Sequence, residues 1–465
     1  MKKQLFAVAL LATLSTPVAG QQLTSAERAA IDSAARAVLN ATAAPSASLA
    51  IVRGGAIVYE QAYGNGRIEP NTPAAPAMRY AIGSVSKQFT AAAVLMLAEE
   101  GKLSLDDKVA KWFPRLTRAN EITIRNLLSM TSGYQDFWPH DYVFPDMQRP
   151  TTGEAIMQRW AGKALDFEPG SKWQYSNTNY TIAAAIVERV SGTPFMEFLR
   201  ARIFTPLKMT SVADFDAGPL SASDAGMYLR HGLGPLRTAP KEAKGWLHGI
   251  GQLAMTSHDL ALWNLSVINR SLLKPASYDV MMRDMLLTGG TNTGYGLGLN
   301  TGMTGGRRRI SHGGAVSGYT TSNEVYPEER AAITVFTNIY PGAAGAPGQI
   351  VARVRSIIFA PAAPTDTAAD VLARRIYDGL TRGTIDRAFF TANANAYFTA
   401  EVLADYQGSL SALGTPTEFL RQGDSLRGGL KLRFYRIRAG GVVMNLTTMT
   451  APDGKIEQYI VERAG

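Results

Sequence analysis

Three short motifs lie in one order along the chain and together describe an activated serine. They are Ser84-Val85-Ser86-Lys87, Tyr175-Ser176-Asn177 and His312-Gly313-Gly314. A serine hydroxyl is a poor nucleophile until a neighbouring base takes its proton. A lysine can be that base if burial and nearby positive charge lower its pKa towards neutrality. The first motif therefore predicts a nucleophile at Ser84 and a base at Lys87.

The setting of the first motif matters, because Ser271-Leu272-Leu273-Lys274 also fits the pattern Ser-x-x-Lys. Lys274 precedes Pro275, which disfavours a helical backbone at the lysine. Ser84 instead opens a stretch with apolar residues at helical spacing, closed by Gly101. On such a helix Ser84 and Lys87 project from one face.

A helix that begins at Ser84 would help the reaction in a second way. Its first turn contributes positive potential, and its free N–H groups suit a developing oxyanion. The alternative is that Ser84 is an ordinary N-cap and Lys87 a solvated surface lysine. Taken alone, the first motif favours that alternative, so the interpretation depends on the other two motifs.

Several further segments carry a resemblance to a known family, in family order from about residue 47 to residue 359. They are Phe167-Glu168-Pro169-Gly170, residues 175–180, residues 122–133, Gly249-Ile250-Gly251-Gln252-Leu253, Asp259-Leu260-Ala261 and Tyr295-Gly296-Leu297-Gly298-Leu299. With the three motifs, they make the chain resemble the class C β-lactamases and penicillin-binding-protein-like serine hydrolases. The resemblance implies an α+β fold in which helices flank an antiparallel sheet and a helical subdomain lies opposite the cleft.

The resemblance also implies a role for each motif residue. Ser84 would be the acylated nucleophile, with Lys87 and Tyr175 sharing the general-base and general-acid work. The substrate would be held by Asn177, which also bonds Lys87, and by the third motif at a strand edge, namely His312, Gly313 and Gly314. The backbone N–H groups of Ser84 and Ala315 would form the oxyanion hole.

The third motif departs from the family pattern, because β-lactamases of this family usually have lysine where His312 stands. A histidine with its ordinary pKa of about 6.5 is only partly charged near neutrality. It would hold a substrate carboxylate less firmly than a lysine. Family members with histidine here are more often peptidases, amidases or esterases than efficient β-lactamases.

The first twenty residues have the composition of a secretory signal peptide. Lys2 and Lys3 give a charged start, residues 5–14 an apolar core, and Val18-Ala19-Gly20 a small-residue cleavage site. The chain has no cysteine, which excludes disulfides, a lipoprotein anchor and a thiolate metal site. We therefore expect a periplasmic or secreted protein without stable membrane insertion.

Other chemistries lack their signatures in the sequence. None of the five histidines lies in His-Glu-x-x-His, and there is no Gly-x-Ser-x-Gly. The formal net charge of +9 is spread over 465 residues, and the dense cluster Arg307-Arg308-Arg309 has no accompanying nucleic-acid motif. The sequence predicts no cofactor, no metal and no nucleic-acid partner, with an anionic cell-wall surface (peptidoglycan) as the alternative for the cluster.

Two domains are expected after the signal segment. Residues 21–360 would form the hydrolase domain and residues 361–465 a small C-terminal α+β accessory domain, joined by Pro361-Ala362-Ala363-Pro364-Thr365. In the second domain, residues 366–381 read as a helix, and residues 430–437, 442–449 and 455–461 as strands. This order loosely resembles the cone-shaped nuclear-transport-factor-like folds.

The predicted function is that of an exported serine hydrolase working through an acyl-enzyme on Ser84. Its substrates would be peptides with D-residues, small amides or esters. The alternatives are a weak β-lactamase, or a penicillin-binding-type protein that senses cell wall or ligand and acylates slowly or does not hydrolyse.

Overall fold

The computed structural model describes residues 22–140, 142–359, 368–427 and 429–464. The predicted signal peptide at residues 1–20 and the predicted linker at residues 361–365 lie outside them. Among the described residues, no helix has the length and apolarity needed to cross a membrane.

The helices of the described chain differ widely in length. They are α1 Ser25–Thr42, α2 Lys87–Glu99, α3 Ile124–Leu128, α4 Gly153–Ile156, α5 Asn177–Ser191, α6 Phe195–Leu199, α7 Ser257–Asn269, α8 Pro275–Met281, α9 Ala346–Ile358, α10 Ala368–Leu380, α11 Ala392–Tyr397 and α12 Ala400–Leu410. A 3-10 turn, Gly83–Ser86, leads directly into α2. Ser84 is therefore on a helical turn that continues as an α-helix, as predicted.

The strands fall into one large sheet, one C-terminal sheet and two small ones. They are β1 Ser46–Arg53, β2 Ala56–Arg67, β3 Thr72–Pro73, β4 Tyr80–Ala81, β5 Ala213–Asp214, β6 Tyr228–Leu229, β7 Arg237–Thr238, β8 Leu253–Met255, β9 Asn300–Thr304, β10 Arg307–Val316, β11 Tyr319–Tyr326, β12 Ala331–Thr337, β13 Glu418–Arg427, β14 Leu430–Ala439, β15 Val442–Thr450 and β16 Ile456–Arg463. The large sheet is antiparallel, in the order β3-β2-β1-β12-β11-β10-β9.

Helices cover both faces of the large sheet. On one face, α1 and α9 pack against β1 and β12 through apolar side chains such as Val38, Leu49 and Val354. On the other face, Ala50 and Val52 belong to the core that contains α2. The first seven residues of β1 are accordingly all buried, as expected for a strand covered on both sides.

Helix α2 passes through the centre of the larger core. Residues 87–97 are all buried, and a helix that is apolar on all sides is typically enclosed by protein. Lys87 is the first residue of this helix and is 0% exposed. The fold therefore places the Lys87 side chain in a largely apolar interior, where the charge of an ammonium group would be costly.

Strand β10 approaches the turn that carries Ser84. It pairs with β9 only from Arg307 to Ser311, so among the described residues its end from His312 to Val316 pairs with β11 alone. A Cβ atom on Gly314 would lie 1.9 Å from the carbonyl oxygen of Ile82. Only glycine permits this approach, which explains the small residues of the third motif.

The three arginines at the start of β10 pair with carboxylates. Arg309 contacts Glu324 at 3.0 Å, Arg308 contacts Glu328 at 3.4 Å, and Arg307 contacts Glu329 at 3.5 Å. Their charge is thus largely balanced by neighbouring strands and turns. This balance weakens the case for an anionic polymer as their partner.

The described C-terminal residues have an apolar core of their own. Side chains from α10, such as Ile376, pack against Phe419, Tyr435 and Leu446 of a sheet in the order β13-β14-β15-β16. Strand β13 lies beside β9, the edge strand of the large sheet. The predicted α+β fold is confirmed, whereas independent folding of residues 361–465 stays a prediction.

Candidate active site

The amino group of Lys87 lies at the centre of the motif residues. Its Nζ is 3.0 Å from Ser84 Oγ, 2.8 Å from Asn177 Oδ1 and 3.1 Å from the carbonyl oxygen of Ile250. The 3-10 turn brings the first contact, α5 the second, and the Gly-Ile-Gly segment before β8 the third. Three parts of the chain that are distant in sequence therefore contact the Lys87 Nζ atom.

These three contacts suit a neutral amine. Asn177 Oδ1 and the Ile250 carbonyl can only accept hydrogen bonds, so they use the two N–H bonds that a neutral lysine has. The remaining lone pair then faces the Ser84 hydroxyl, which can donate. Burial lowers the pKa of Lys87 to about 7, and the Asp136 carboxylate opposes that shift. Near neutral pH, a large share of this lysine is thus available as a base.

Asp136 fixes the orientation of Asn177, although it belongs to none of the predicted motifs. Its carboxylate accepts from the Asn177 backbone N–H at 2.8 Å, at the start of α5, and from Asn177 Nδ2 at 3.4 Å. Because Nδ2 faces the carboxylate, Oδ1 is left for Lys87. Burial raises the pKa of Asp136, and the hydrogen bonds and Lys87 work in the opposite direction. In the sequence, Asp136 is one of two acids in the aromatic-rich segment 134–144 between the first two motifs, and no pattern distinguishes it.

The Tyr175 hydroxyl is the second candidate for proton transfer. Its ring centroid lies 5.0 Å from Lys87 Nζ. Burial raises the pKa of Tyr175, although a contact with Ser84 favours ionisation. Within the described residues the hydroxyl has no partner at full hydrogen-bond geometry. Tyr175 is therefore protonated at neutral pH and can donate a proton to a group that enters the cleft.

The backbone of Ser84 and Ala315 meets at the floor of the cleft. A Cβ on Gly83, which has a φ of +50°, would lie 2.6 Å from the Ala315 nitrogen, and one on Gly314 would lie 3.3 Å from the Ser84 nitrogen. The turn and the open end of β10 are thus in close contact. Ser84 N–H is among the first of a helical turn, whose donors have no partner within the turn. This arrangement suits the predicted oxyanion hole.

His312 lies behind the cleft surface that Gly313 and Gly314 line. Its ring is 5% exposed, with Nε2 3.1 Å from the Tyr295 hydroxyl and Nδ1 2.5 Å from the Gly313 carbonyl. Burial, with a contribution from Lys87, lowers the pKa of His312 to about 4. The ring is therefore neutral at pH 7, and the charged contact with a substrate carboxylate has no support in this environment.

The cleft above these groups has a volume of about 790 Å³. Its walls include Ser84, Tyr175 and Asn177 together with Trp138 and Tyr340. Among the described residues, no group of three or more histidine, aspartate or glutamate side chains could hold a metal ion. The cleft thus presents the Ser84 and Tyr175 side chains, with the buried amine of Lys87 beside them.

Comparisons with known proteins identify the family and the fold. A protein-family model described as Beta-lactamase matches residues 31–354. Penicillin-binding protein 4* of Bacillus subtilis (strain 168) is 28% identical over 300 residues, which are 61% of this chain and 66% of that protein. Protein flp of Staphylococcus aureus is 28% identical over 306 residues, 63% of this chain and 60% of that protein. The chain therefore spans less than two thirds of the length of both relatives.

Solved structures share the fold. A D-amino acid amidase from Ochrobactrum anthropi SV3 has a TM-score of 0.62 at 23% identity, covering 72% of this chain and 99% of the other. A D-stereospecific amidohydrolase from Streptomyces sp. has a TM-score of 0.61 at 24% identity, covering 70% and 97%. The octameric penicillin-binding protein homologue from Pyrococcus abyssi has a TM-score of 0.61 at 21% identity and covers 95% of this chain and 97% of the other. The last match extends the likeness of fold over the C-terminal sheet.

Proposed function

The chain belongs to the beta-lactamase family, and from this premise we propose that it is an exported serine hydrolase acting through an acyl-enzyme on Ser84. One observation carries the proposal. Lys87 Nζ has two partners that can only accept, and its third contact is Ser84 Oγ at 3.0 Å. A buried lysine held in this way is a base directed at one hydroxyl.

In the acylation step, Ser84 Oγ attacks the substrate carbonyl carbon while Lys87 takes the hydroxyl proton. The carbonyl oxygen becomes an oxyanion, which the N–H groups of Ser84 and Ala315 stabilise. The intermediate then collapses, and the bond to the leaving amine or alcohol breaks. Tyr175 delivers a proton to the leaving group and recovers one from the Lys87 ammonium, so that the acyl-enzyme forms with Lys87 neutral again.

In the deacylation step, a water molecule attacks the ester carbonyl. The same base takes one proton from this water, and the second tetrahedral intermediate uses the same oxyanion hole. Its collapse breaks the bond to Ser84 Oγ, which is reprotonated, and the acid leaves. The chemistry needs no group beyond those that surround the cleft.

Peptides with D-residues, small amides and esters are the proposed substrates. A neutral His312 supports this choice over β-lactams, whose carboxylate would gain no charged partner from that residue. Two proteins of the same fold are named as a D-amino acid amidase and a D-stereospecific amidohydrolase, which supports amides of D-amino acids as the first class to test.

The second candidate is a sensing protein that acylates but does not turn over. The penicillin-binding names of several relatives favour it, as does the additional C-terminal sheet. The two candidates differ in the fate of the acyl-enzyme. A hydrolase releases its acid repeatedly, whereas a sensor gives one equivalent of leaving group and a stable adduct.

The test is a substrate panel with the mature chain and its Ser84→Ala variant. It contains D- and L-amino-acid amides, short acyl esters and a chromogenic cephalosporin, with intact-mass spectrometry for the acyl-enzyme. We expect repeated turnover of an amide or ester that Ser84→Ala abolishes. Turnover that persists in Ser84→Ala, or no turnover and no adduct with any substrate, would contradict the proposal.

A further inference from the structure

A second cavity adjoins the cleft. Its volume is about 490 Å³, and it shares Trp138 and Tyr340 with the cleft that contains Ser84. Its other walls are mostly apolar and come from distant parts of the chain, including Val143, Leu229 and Pro341. This volume is ample for a bulky organic group, since small-molecule sites usually span about 300–1,000 Å³.

Backbone hydrogen bonds join three of the segments that form this cavity. Tyr340 donates its N–H to the Tyr228 carbonyl at 2.9 Å, and Arg230 donates to the Pro341 carbonyl at 3.0 Å. Gly318, at the turn between β10 and β11, donates to the Tyr340 carbonyl at 3.1 Å. The walls are therefore linked to each other and to the strand that carries the third motif.

Trp138 forms the boundary between cleft and cavity and has a defined orientation. Its indole N–H donates to the Tyr142 carbonyl at 3.1 Å, so the polar atom of the ring is satisfied within the loop. The neighbouring Phe137 is buried against Trp246, with ring centroids 5.9 Å apart. The indole ring thus lines both the cleft and the cavity, with its polar atom already bonded.

We propose that this cavity is a specificity subsite for an aromatic or branched aliphatic group of the substrate, placed while its carbonyl lies at Ser84. The proposal rests on the proposed hydrolase function and adds the class of substituent that the enzyme selects. The polar side chains that line the cavity, those of His231 and Ser317, lie among aromatic rings and prolines. Binding free energy at such a lining is most favourable for an apolar group, because burial removes its surface from water.

The first experiment changes the size of the cavity and compares large and small esters. Val143→Trp places a large ring in the cavity, and Leu229→Ala enlarges it. In one ester series the acyl group is acetyl or naphthylacetyl, and in the other the alcohol is small or carries a naphthyl group.

The measured quantity is the kcat/KM of the naphthyl ester divided by the kcat/KM of the small ester. We expect Val143→Trp to lower this ratio at least tenfold in one of the two series. Leu229→Ala should change the ratio in the same series by a smaller factor.

Leu233→Trp is the matched control, because Leu233 lies in the same segment but is fully exposed. It should keep the original ratio. If the ratio is unchanged in both series for Val143→Trp and Leu229→Ala, the cavity does not select substrates and the proposal is wrong.

A binding measurement separates this proposal from the proposed function. In the Ser84→Ala background, calorimetry should show a naphthyl amide binding on the order of tenfold or more tighter than the acetyl amide. Val143→Trp should remove this difference. Equal affinity for the two amides in Ser84→Ala would overturn the subsite. If the naphthyl amide binds more tightly than the acetyl amide but the enzyme shows no hydrolysis that depends on Ser84, only the hydrolase function is contradicted.

Discussion

The chain contains two Ser-x-x-Lys sequences, and the fold gives them opposite environments. Lys87 is the buried first residue of α2, and its Nζ contacts Ser84, Asn177 and the Ile250 carbonyl. Ser271 and Lys274 are exposed in the connection between α7 and α8. Lys274 has extended backbone, as Pro275 predicts, and its Nζ reaches only as far as the Glu99 carbonyl at 3.4 Å.

The difference between the two environments shows what a Ser-x-x-Lys sequence needs, besides its spacing, for the lysine to act as a base. In both sequences the serine and lysine are three residues apart, but only α2 carries the lysine into an apolar interior. Burial disfavours the ammonium form, and the two fixed acceptors direct the lone pair of Lys87 towards Ser84. A solvated lysine stays charged near neutrality and cannot serve as a base.

Removing each lysine should give the largest contrast. Lys87→Ala should lower kcat by about 10²–10⁴-fold, the usual cost of losing a general base. Lys274→Ala should leave kcat within about twofold, because surface substitutions have small effects. Steady-state kinetics on one amide or ester measures both. A Lys87→Ala enzyme with near-normal turnover would mean that the base lies elsewhere.

Tyr175→Phe tests the proton donor while keeping the ring beside Lys87. We expect a smaller loss of kcat than for Lys87→Ala, greatest for amides, because an amine is a poor leaving group until it is protonated. Activated esters should be affected least. Equal losses for an anilide and an activated ester would argue against leaving-group protonation by Tyr175.

Asp136→Asn should shift the pH dependence rather than abolish activity. The base must be neutral, so kcat/KM should fall as pH decreases through the Lys87 pKa of about 7. The Asp136 carboxylate raises this pKa, and removing its charge should move the acid limb to lower pH, by up to about one unit. The full pH profile of kcat/KM for both enzymes measures the shift. An acid limb that moves to higher pH would contradict this electrostatic role.

The smallest expected effect concerns His312. Its pKa of about 4 leaves the ring neutral between pH 5 and 8, so the KM values of matched anionic and neutral substrates should change in parallel over that range. A KM that rises with pH for the anionic substrate alone would indicate an imidazolium contact with the carboxylate, and would contradict the neutral ring.

The sequence predicted those helices and strands that have a clear local pattern of apolar and polar residues. The start of α2 and strands β14 to β16 lie close to their predicted positions. Strand β13 was missed, since it contains Gly423, Asp424 and Ser425 and a register shift that interrupts any alternation. The short helices α11 and α12 were missed as well.

The sequence identified the serine, lysine, tyrosine and asparagine of the motifs. It did not identify the neighbours that set their orientation and charge state. The carboxylate that orients Asn177 belongs to Asp136, 41 residues earlier, and Lys87 bonds a backbone carbonyl 163 residues away. Asp136 lies in no motif, and the segment around Ile250 does not indicate that its backbone carbonyl accepts from Lys87, because both contacts depend on how loops pack over α2. The same is true of His312, whose ring contacts Tyr295 and is neutral because burial and the nearby Lys87 lower its pKa.

The most direct test of the account is to locate the covalent adduct. A fluorophosphonate probe, followed by peptide mapping of the labelled protein, should give one adduct on the peptide that contains Ser84. Ser84→Ala should remove the adduct, and Ser271→Ala should leave it unchanged. An adduct that persists in Ser84→Ala, or one that maps to Ser271, would contradict the claim that burial of Lys87 selects the reactive serine.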